Sequence, residues 1–362
     1  MADPRNREYA ELIVDGCLGV QAGWQVLVCG NPLARPLLEE VCGAVARRGA
    51  YALLRVSFEG FLAQSLNWIA NAPLELLAQP AALVVNELET IDALMFVSAP
   101  DNTRAAAGIE SERMGTLQAA YRPASSRLMN HDIPWVACQY PTAALAQEAG
   151  LSSEDFSELL YGAVLLDWAT EGERMRGIAA HFDAASEVRI VGEGTDLRLS
   201  VEGRSMKVDA LGANLPGGEF FGSPLEDSAE GEISFGDFPA IYHGRELTGI
   251  RLRFAAGRVV DASADTNEAT LIETLDTDEG SRRLGELGIG CNPGITRYMK
   301  NTLFDEKMNG TVHLALGNSY TDIGGVNQSA IHWDLVKDLR PPGSRLELDG
   351  IVVQREGVWR VS

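Results

Sequence analysis

The chain has 362 residues, of which 46% are hydrophobic and 22% are charged. This composition is ordinary for a globular protein and excludes a fibre or a disordered chain, and a length beyond that of one typical core predicts two domains. Lys and Arg number 30 against 51 Asp and Glu, a net charge of −21, and so acidic a surface argues against nucleic acid as the main partner because it repels phosphate backbones.

Two features concern the cellular compartment. The N-terminal sequence MADPRNREYAEL contains no apolar core of a secretion signal, and no run approaches the roughly 18 apolar residues of a membrane span. The five cysteines show no paired or zinc-knuckle spacing, at Cys17, Cys29, Cys42, Cys138 and Cys291. Such an odd, scattered set is typical of a reducing compartment, so we expect a cytoplasmic protein with no membrane partner.

The first half of the chain alternates helix-like and strand-like segments. Apolar residues at helical spacing predict a short helix around Tyr9 and a second helix from Leu37 to Val45, capped by Gly49. Continuous apolar runs predict strands at Trp24–Cys29, Tyr51–Val56, Ala93–Ser98 and Trp135–Cys138. Runs that are apolar on both faces are typical of a parallel sheet covered by helices on both sides.

The pattern changes near residue 185. Before it, Ser152 and Asp155 have the spacing of a capping box and predict a long helix that extends to about Ala180. After it, short strands joined by turn residues predict hairpins at 188–201 and 248–262. The sequence therefore predicts an α/β fold, with an N-terminal α/β domain over residues 1–185 that has a mostly parallel sheet, and a β-rich α+β metal-binding domain over 186–362.

Residues able to bind a metal ion cluster in the second half. His332 and Asp334 lie two residues apart, and in an extended segment such side chains share a face and can converge on one ion; a surface pair is the alternative. His313 lies in a predicted strand, Thr311–Leu316, whose apolar residues would bury the opposite face. A histidine at that position is either a hydrogen-bonded core residue or a ligand.

Three further residues complete this set. Tyr320 lies in a loop rich in Gly, Asn and Ser, while Glu219 and Glu286 each lie between apolar and glycine neighbours. Taken singly, a loop tyrosine is typical of packing and a glutamate is typical of an exposed surface. Taken together, three carboxylates, two imidazoles and a phenol are about what two neighbouring divalent ions require.

Four sequence blocks resemble a known family. NLPGGEFF, RRLGELGIGCNPGI, LFDEKMNGTVHLALGNSY and NQSAIHWDLV resemble the thermophilic metallo-aminopeptidases of the aminopeptidase T and aminopeptidase S type, which are two-domain, typically dimeric exopeptidases with a dinuclear metal site. The resemblance implies a homodimer that acts on peptides with a free N-terminus. It also implies six metal ligands in this chain: Glu219, Glu286, His313, Tyr320, His332 and Asp334.

The resemblance further implies a mechanism. Two divalent ions, cobalt, zinc or manganese, would lower the pKa of a bridging water, and the resulting hydroxide would attack a carbonyl polarised by one ion. Glu286 or Asp334 is the candidate for a carboxylate shared by the ions, and Glu219 or Glu286 is the candidate general base. The Tyr320 phenol would bind an ion or stabilise the tetrahedral oxyanion.

Two other functions fit parts of the same pattern. His313, His332 and Asp334 form the two-histidine, one-carboxylate set of mononuclear iron(II) oxygenases, and the ring-cleaving dihydroxypyridine dioxygenases resemble distant relatives of the aminopeptidase fold. Such an iron site would not need Glu219 and Glu286. The other alternative is a binding protein with a relic site, from which at least one ligand should be missing.

Overall fold

A computed structural model of the chain describes residues 3–58, 64–130, 132–242 and 244–361. Its α-helices are α1 (Arg5–Glu11), α2 (Arg35–Arg47), α3 (Leu66–Asn71), α4 (Leu74–Leu77), α5 (Ala82–Thr90), α6 (Ser111–Tyr121), α7 (Ser126–Met129), α8 (Ala143–Glu148), α9 (Ser153–Val164), α10 (Trp168–Asp183), α11 (Glu268–Leu275) and α12 (Thr302–Asp305). Within these described ranges, no helix is both long and apolar enough to cross a bilayer.

The described strands are fewer in the first half of the chain than in the second half. They are β1 (Gln25–Gly30), β2 (Tyr51–Val56), β3 (Ala93–Ser98), β4 (Trp135–Gln139), β5 (Glu187–Gly192), β6 (Thr195–Ser200), β7 (Lys207–Asp209), β8 (Asn214–Leu215), β9 (Glu219–Gly222), β10 (Glu230–Phe235), β11 (Ala240–Tyr242), β12 (Arg245–Leu247), β13 (Ile250–Ala255), β14 (Arg258–Ser263), β15 (Leu284–Gly290), β16 (Thr311–Gly317), β17 (His332–Asp338), β18 (Arg345–Leu348), β19 (Ile351–Arg355) and β20 (Val358–Trp359).

The chain forms two compact units. The first comprises Met1–Leu165 with Leu211–Pro216, and the second comprises Leu166–Ala210 with Gly217–Ser362. The changeover lies earlier than residue 185 because α10 contributes Met175 to the core of the second unit. The compact units do not show which segments fold independently, so the division into domains at residue 185 stays a prediction.

The first unit is built on a five-stranded sheet in the order β2-β1-β3-β4-β8, in which all neighbouring strands are parallel. Leu27 of β1 and Leu94 of β3 pack with Leu88 of α5 and Leu128 of α7. This arrangement confirms the predicted parallel sheet of an α/β fold. The short strand β8 joins it from a later part of the chain, which the sequence did not predict.

One strand of this sheet is less buried than its apolar sequence predicts. Tyr51, Leu54 and Val56 of β2 are each more than half exposed. The expectation that helices cover every strand on both faces is therefore wrong for β2. An apolar run predicts a strand, but it does not show whether the strand is central or lies at the edge of the sheet.

The single long helix predicted from Ser152 is wrong, because the structure has two helices there. The predicted cap is confirmed, since the Ser152 hydroxyl accepts a hydrogen bond from the Asp155 N–H at 3.0 Å and begins α9. The chain then leaves helical geometry, and the Asp167 carboxylate accepts a hydrogen bond from the Thr170 N–H at 3.2 Å and begins α10. A second N-cap residue within an apolar pattern thus restarts the helix.

The second unit contains two larger sheets on either side of a common core. The eight-stranded sheet has the order β14-β13-β10-β6-β5-β18-β19-β20, and the five-stranded sheet has the order β17-β16-β15-β9-β7. Ile190 and Leu252 of the first pack in one cluster with Leu287 and Leu314 of the second. The predicted hairpins are confirmed as β5–β6 and β13–β14, and so is the β-rich character of this region.

Candidate metal centre

The candidate site lies on the five-stranded sheet β17-β16-β15-β9-β7 of the second unit. One face of this sheet packs into the core, and the other face carries polar side chains. In β15, Leu287 belongs to the core, so its neighbour Glu286 lies on the opposite face. In β16, Val312 and Leu314 belong to the core, which puts His313 on the same face as Glu286. The strand predicted around His313 is therefore confirmed, together with the orientation that its apolar neighbours implied.

Strand pairing brings the remaining residues to this face. Ala315 of β16 pairs with Glu286 of β15 on one side and with Asp334 of β17 on the other. His332 lies two residues before Asp334 in β17, and Glu219 begins β9 on the far side of β15. Four neighbouring strands thus contribute one or two polar side chains each to a small area of the sheet.

The polar atoms of these side chains are close together. His313 Nε2 lies 3.2 Å from Glu286 Oε1 and 3.4 Å from Glu219 Oε2. His332 Nε2 lies 3.7 Å from both Glu286 Oε2 and Asp334 Oδ2. One oxygen or nitrogen from each of Glu286, His313 and Asp334 lies within 4.8 Å of the other two. Glu286 therefore faces one imidazole with each of its oxygens and occupies the middle of the cluster.

Burial of this cluster is deep. Glu219, Glu286 and His313 are 5%, 5% and 1% exposed. Glu219 Oε2 is inaccessible to solvent and accepts no hydrogen bond from the described residues. A buried polar atom without a partner costs roughly 1–3 kcal/mol and is rare in folded proteins, so the cluster is suited to a cation that would supply the missing interaction.

Two glycines leave the space that the cluster needs. Gly288 pairs with His313 across β15 and β16, and a Cβ atom added there would lie 1.8 Å from His313 Nε2. Gly218 precedes Glu219 with a φ of 112°, and a Cβ atom there would lie 2.6 Å from that of Asn292. Glycine is therefore required at both positions if Glu219 and His313 are to stay where they are.

Hydrogen bonding fixes how His332 presents its ring. Nδ1 lies 2.8 Å from the carbonyl oxygen of Asn318, which can only accept, so Nδ1 carries the proton and donates. Nε2 is then the nitrogen that faces Glu286 and Asp334. Histidines that bind a metal ion through Nε2 commonly have the other nitrogen held in this way.

Asp278 holds the segment that leads into β17. Its carboxylate accepts hydrogen bonds from the Ala330 N–H at 2.6 Å, the Ser329 hydroxyl at 2.8 Å and the Ser281 hydroxyl at 2.9 Å. These bonds, led by that from Ala330, lower the pKa of Asp278 to about 2. The charged carboxylate therefore fixes the backbone directly before His332.

A buried lysine lies on the Glu219 side of the cluster. Lys307 is fully buried, its Nζ lies 3.0 Å from Glu219 Oε1, and it donates a hydrogen bond to Glu306 Oε1. Burial alone would lower the pKa of Lys307, but Glu219 and Glu306 raise it above its ordinary value. Lys307 is therefore an ammonium cation at neutral pH.

Neighbouring charges also shift the protonation of the other groups. Burial opposes the ionisation of Glu219, but Lys307 and then His313 hold the pKa of Glu219 below its ordinary value. Burial lowers the pKa of His313, yet its contact with Glu286 and the charge of Glu219 outweigh burial and raise that pKa to about 10. A divalent cation bound at His313 would therefore have to displace a proton.

Tyr320 lies at the rim of the cluster. It is 43% exposed, and its ring centre lies 5.1 Å from that of His332 and 6.2 Å from that of Phe221. Partial burial, followed by the charges of Glu286 and Asp334, raises the pKa of Tyr320. The structure thus brings five of the six predicted residues into close contact and leaves the sixth beside them.

Three residues that shape the cluster were missed from the sequence: Lys307, Asp278 and Gly288. Lys307 ends the charged triplet DEK, which is equally typical of an exposed turn. The available signal was that buried apolar residues, Phe304 and Met308, lie on either side of this triplet. Asp278 also accepts hydrogen bonds from Gly280 and Ser281 within a local turn, but its partners at 329 and 330 are distant in sequence and gave no signal.

The sequence profile of the thermophilic metalloprotease (M29) family matches residues 2–359. The chain belongs to the thermophilic metalloprotease family M29. This result confirms the family that the four sequence blocks resemble, and it makes the chain an enzyme, a hydrolase that depends on divalent metal.

Relatives of this metalloprotease match it over nearly their whole length. Aminopeptidase 2 of Geobacillus stearothermophilus is 27% identical, with 98% of this chain and 96% of the relative covered. Aminopeptidase T of Thermus thermophilus is 26% identical, with 99% of each chain covered. The chain therefore has no large part that these aminopeptidases lack.

Solved structures support the same fold. The wild-type AmpT structure from Thermus thermophilus superposes with a TM-score of 0.84 at 24% identity, covering 98% of this chain and 99% of the other. A 2,5-dihydroxypyridine dioxygenase from Pseudomonas putida KT2440 superposes with a TM-score of 0.59 at 14% identity, covering 98% of this chain and 96% of the other. At these identities the likenesses show the fold alone, and they confirm the α/β class.

The residues of this metalloprotease fit the metal that its family requires. The cluster offers carboxylate oxygens and imidazole nitrogens, which are the ligands of divalent ions such as zinc. Glu219 Oε2 is buried without a hydrogen bond from the described residues, and His332 keeps one nitrogen free for an ion by donating from the other. One ligand atom from each of Glu286, His313 and Asp334 lies within 4.8 Å of the other two, as these residues would need in order to share an ion.

Proposed function

We propose that this metalloprotease is an aminopeptidase that removes N-terminal residues from peptides with the help of two divalent ions. The convergence of two buried glutamates on two imidazoles carries the proposal. A mononuclear site needs only His313, His332 and Asp334, whereas Glu219 and Glu286 are buried beside them at a large desolvation cost. Lys307 offsets part of that cost for Glu219, and a second ion that uses both carboxylates would offset the rest.

The six proposed ligands are those implied by the sequence. Glu286 is the best candidate for the carboxylate shared by both ions, because its two oxygens face different imidazoles, at 3.2 Å and 3.7 Å. When bound, cobalt, zinc or manganese ions would supply an activated water and a Lewis acid for the scissile carbonyl. Glu219, His313, His332, Asp334 and Tyr320 complete the set.

Side chains of the cluster would accept the proton of the attacking water and stabilise the charge that develops on the peptide carbonyl. Glu219 and Glu286 lie against His313, and we assign the proton released by the attacking water to one of these carboxylates. Without a metal ion, burial and then the charges of Glu286 and Asp334 raise the pKa of Tyr320. Its exposed position beside His332 allows it to donate a hydrogen bond to the carbonyl oxygen as negative charge develops there.

The decisive experiment is a peptidase assay on purified protein with added cobalt, zinc or manganese. We expect release of N-terminal residues from short peptides and no release from the N-acetylated forms, since acetylation removes the amine that an ion or a carboxylate would bind. Cleavage of both forms at equal rates would contradict an aminopeptidase. Oxygen consumption with iron(II) and a dihydroxylated aromatic, without peptide cleavage, would support a dioxygenase instead.

The assembly is a separate part of this proposal. We infer a homodimer from the resemblance to typically dimeric aminopeptidases. Light scattering should report twice the mass of one chain at working concentrations. A monomer would contradict the dimer but would leave the metal centre unaffected.

A further inference from the structure

The two sides of the metal centre differ in their contact with a protein cation. On one side, Glu219 Oε1 lies 3.0 Å from the fully buried Nζ of Lys307. On the other side, the ion-pair contacts of Glu286 and Asp334 among the described residues are with imidazoles alone. One of the proposed ligands is therefore already paired with a permanent positive charge.

Lys307 is surrounded by acidic groups. It donates a hydrogen bond to Glu306, and Asp209 of β7 pairs with Glu219 across β7 and β9. The charge of Asp209 is close enough to raise the pKa of Lys307, after larger effects of Glu219 and Glu306. The ammonium group thus compensates a local group of carboxylates even when no metal is bound.

We propose that Lys307 makes the two ions bind with unequal affinity, a proposal that rests on the dinuclear function above. The first ion binds at Glu286, His313 and Asp334, where one atom from each residue lies within 4.8 Å of the others. The second ion requires Glu219. Lys307 weakens that second site and holds the Glu219 carboxylate in place until the ion arrives.

Two physical effects weaken the second site. Lys307, which also pairs with Glu306, partly compensates the charge of Glu219, so an incoming cation gains less from binding this carboxylate. The ammonium group, 3.0 Å from Glu219 Oε1, would also repel an ion bound by this carboxylate in surroundings that screen poorly. Neither effect applies to the same degree at the Glu286 side, where the described contacts include no lysine or arginine.

The first test measures metal binding to the wild-type protein, so it does not depend on any variant. Metal-free protein is titrated with Co²⁺ against a competing chelator, and the number of bound ions is read by native mass spectrometry. We expect two dissociation constants that differ by at least about tenfold, as a nearby unit charge of like sign would produce. Two equal constants would overturn the proposal.

The second test compares two buried lysines. Lys307→Met should tighten the second Co²⁺ site by about tenfold or more and leave the first almost unchanged. Lys337→Met is the matched control, because Lys337 is also buried and pairs with a carboxylate, Asp237, at 2.6 Å. The control should leave both constants unchanged, although it also removes a buried lysine from its ion pair.

Thermal denaturation separates this role from a merely structural one. Without metal, both variants should melt below the wild type, because Lys307→Met leaves the buried Glu219 without its cation and Lys337→Met removes the cation paired with Asp237. Added Co²⁺ should raise the melting temperature of Lys307→Met by more than it raises that of the wild type. For Lys337→Met, the rise should equal that of the wild type. An equal Co²⁺ response in all three proteins would contradict the proposal.

The outcomes also separate this inference from the proposed function. Two ions bound with equal affinity to an active aminopeptidase would refute the role of Lys307 and leave the function intact. Binding of a single ion to an active enzyme would refute the dinuclear function itself. Failure of Lys307→Met to fold would leave the wild-type titration as the deciding measurement.

Discussion

The parallel sheet of the first unit and the five-stranded sheet of the second unit use buried strands in different ways. The buried side chains of β1 and β3 are apolar, as with Leu27 and Leu94. The strands β15 and β16 are equally buried, yet they include Glu286 and His313. Burying such groups costs free energy unless they are paired or bind an ion, so their presence in a strand identifies a site rather than a core.

The comparison predicts opposite consequences of substitution in the two sheets. Shortening an apolar side chain of the first sheet should reduce stability and leave the chemistry of the folded enzyme unchanged. Changing a polar side chain of the second sheet should affect metal binding and turnover more than folding. The following predictions test this contrast, from the largest expected effect to the smallest.

Glu286→Gln should reduce turnover by more than about 100-fold, which is the upper range for residues that only support a metal ligand. The substitution removes a charge from the carboxylate that faces both imidazoles and leaves its shape. Peptide release at saturating substrate and metal measures the effect. Glu347→Gln is the control, since Glu347 is a buried carboxylate of β18 paired with Arg345. Equal effects of the two substitutions would contradict the assignment of Glu286.

Leu94→Ala should lower the free energy of unfolding by about 2–5 kcal/mol, because it leaves a cavity in a packed core. Leu94 is 2% exposed in the centre of the parallel sheet. Chemical denaturation measures the loss, and turnover per folded molecule should stay at the wild-type value. A loss of turnover comparable to that of Glu286→Gln would remove the contrast between the sheets.

Gly288→Ala should displace the His313 ring, because the added Cβ would lie 1.8 Å from Nε2. We expect a loss of about 1–3 kcal/mol in stability from overpacking, together with weaker metal binding. The control is Gly162→Ala in α9, where no atom of the described residues, apart from the adjoining helix backbone, lies within 4 Å of the added carbon. The Gly162→Ala substitution should stabilise the protein by about 0.4–1 kcal/mol. If Gly288→Ala binds metal with the affinity of the wild type, glycine is not required at position 288.

The metal-free enzyme should lose stability as the pH rises from 7 toward 10. The pKa of His313 is raised to about 10 from an ordinary value of 6.5, so the folded state binds a proton that the unfolded state has released. This contribution is complete below pH 6.5 and is lost as the pH passes about 10, at no more than about 1.4 kcal/mol per pH unit. The effect is isolated by measuring the melting temperature against pH, in the presence of a chelator, for the wild type and for His313→Gln. An identical pH dependence in the two proteins would contradict the prediction.

Alternation within single strands allowed much of this molecule to be predicted. Val312 and Leu314 on either side of His313 indicated both the strand and the outward direction of the imidazole. The motif blocks then grouped Glu219 and Glu286 with the histidines, and the fold brings them together. These features could be predicted because each depends on residues within a few positions of one another, or on a family pattern.

The remaining features depend on contacts between distant parts of the chain. The sequence around Lys307 is compatible with a solvated turn, and only the fold shows that its ammonium group meets Glu219. Asp278 holds Ala330 through a turn that no local pattern predicts. The break between α9 and α10 depends on Asp167, a polar residue that an extended helical pattern would equally tolerate.

The central claim is that two divalent ions bind on the polar face of the sheet, among the side chains that its four neighbouring strands contribute. Anomalous diffraction from a cobalt-loaded crystal tests it most directly. We predict two cobalt peaks a few Å apart, one contacting Glu219 and both contacting Glu286, with His313, His332, Asp334 and Tyr320 as the remaining ligands at about 2.0–2.3 Å. A single fully occupied peak held by His313, His332 and Asp334, with Glu219 still paired to Lys307 at saturating cobalt, would contradict the account.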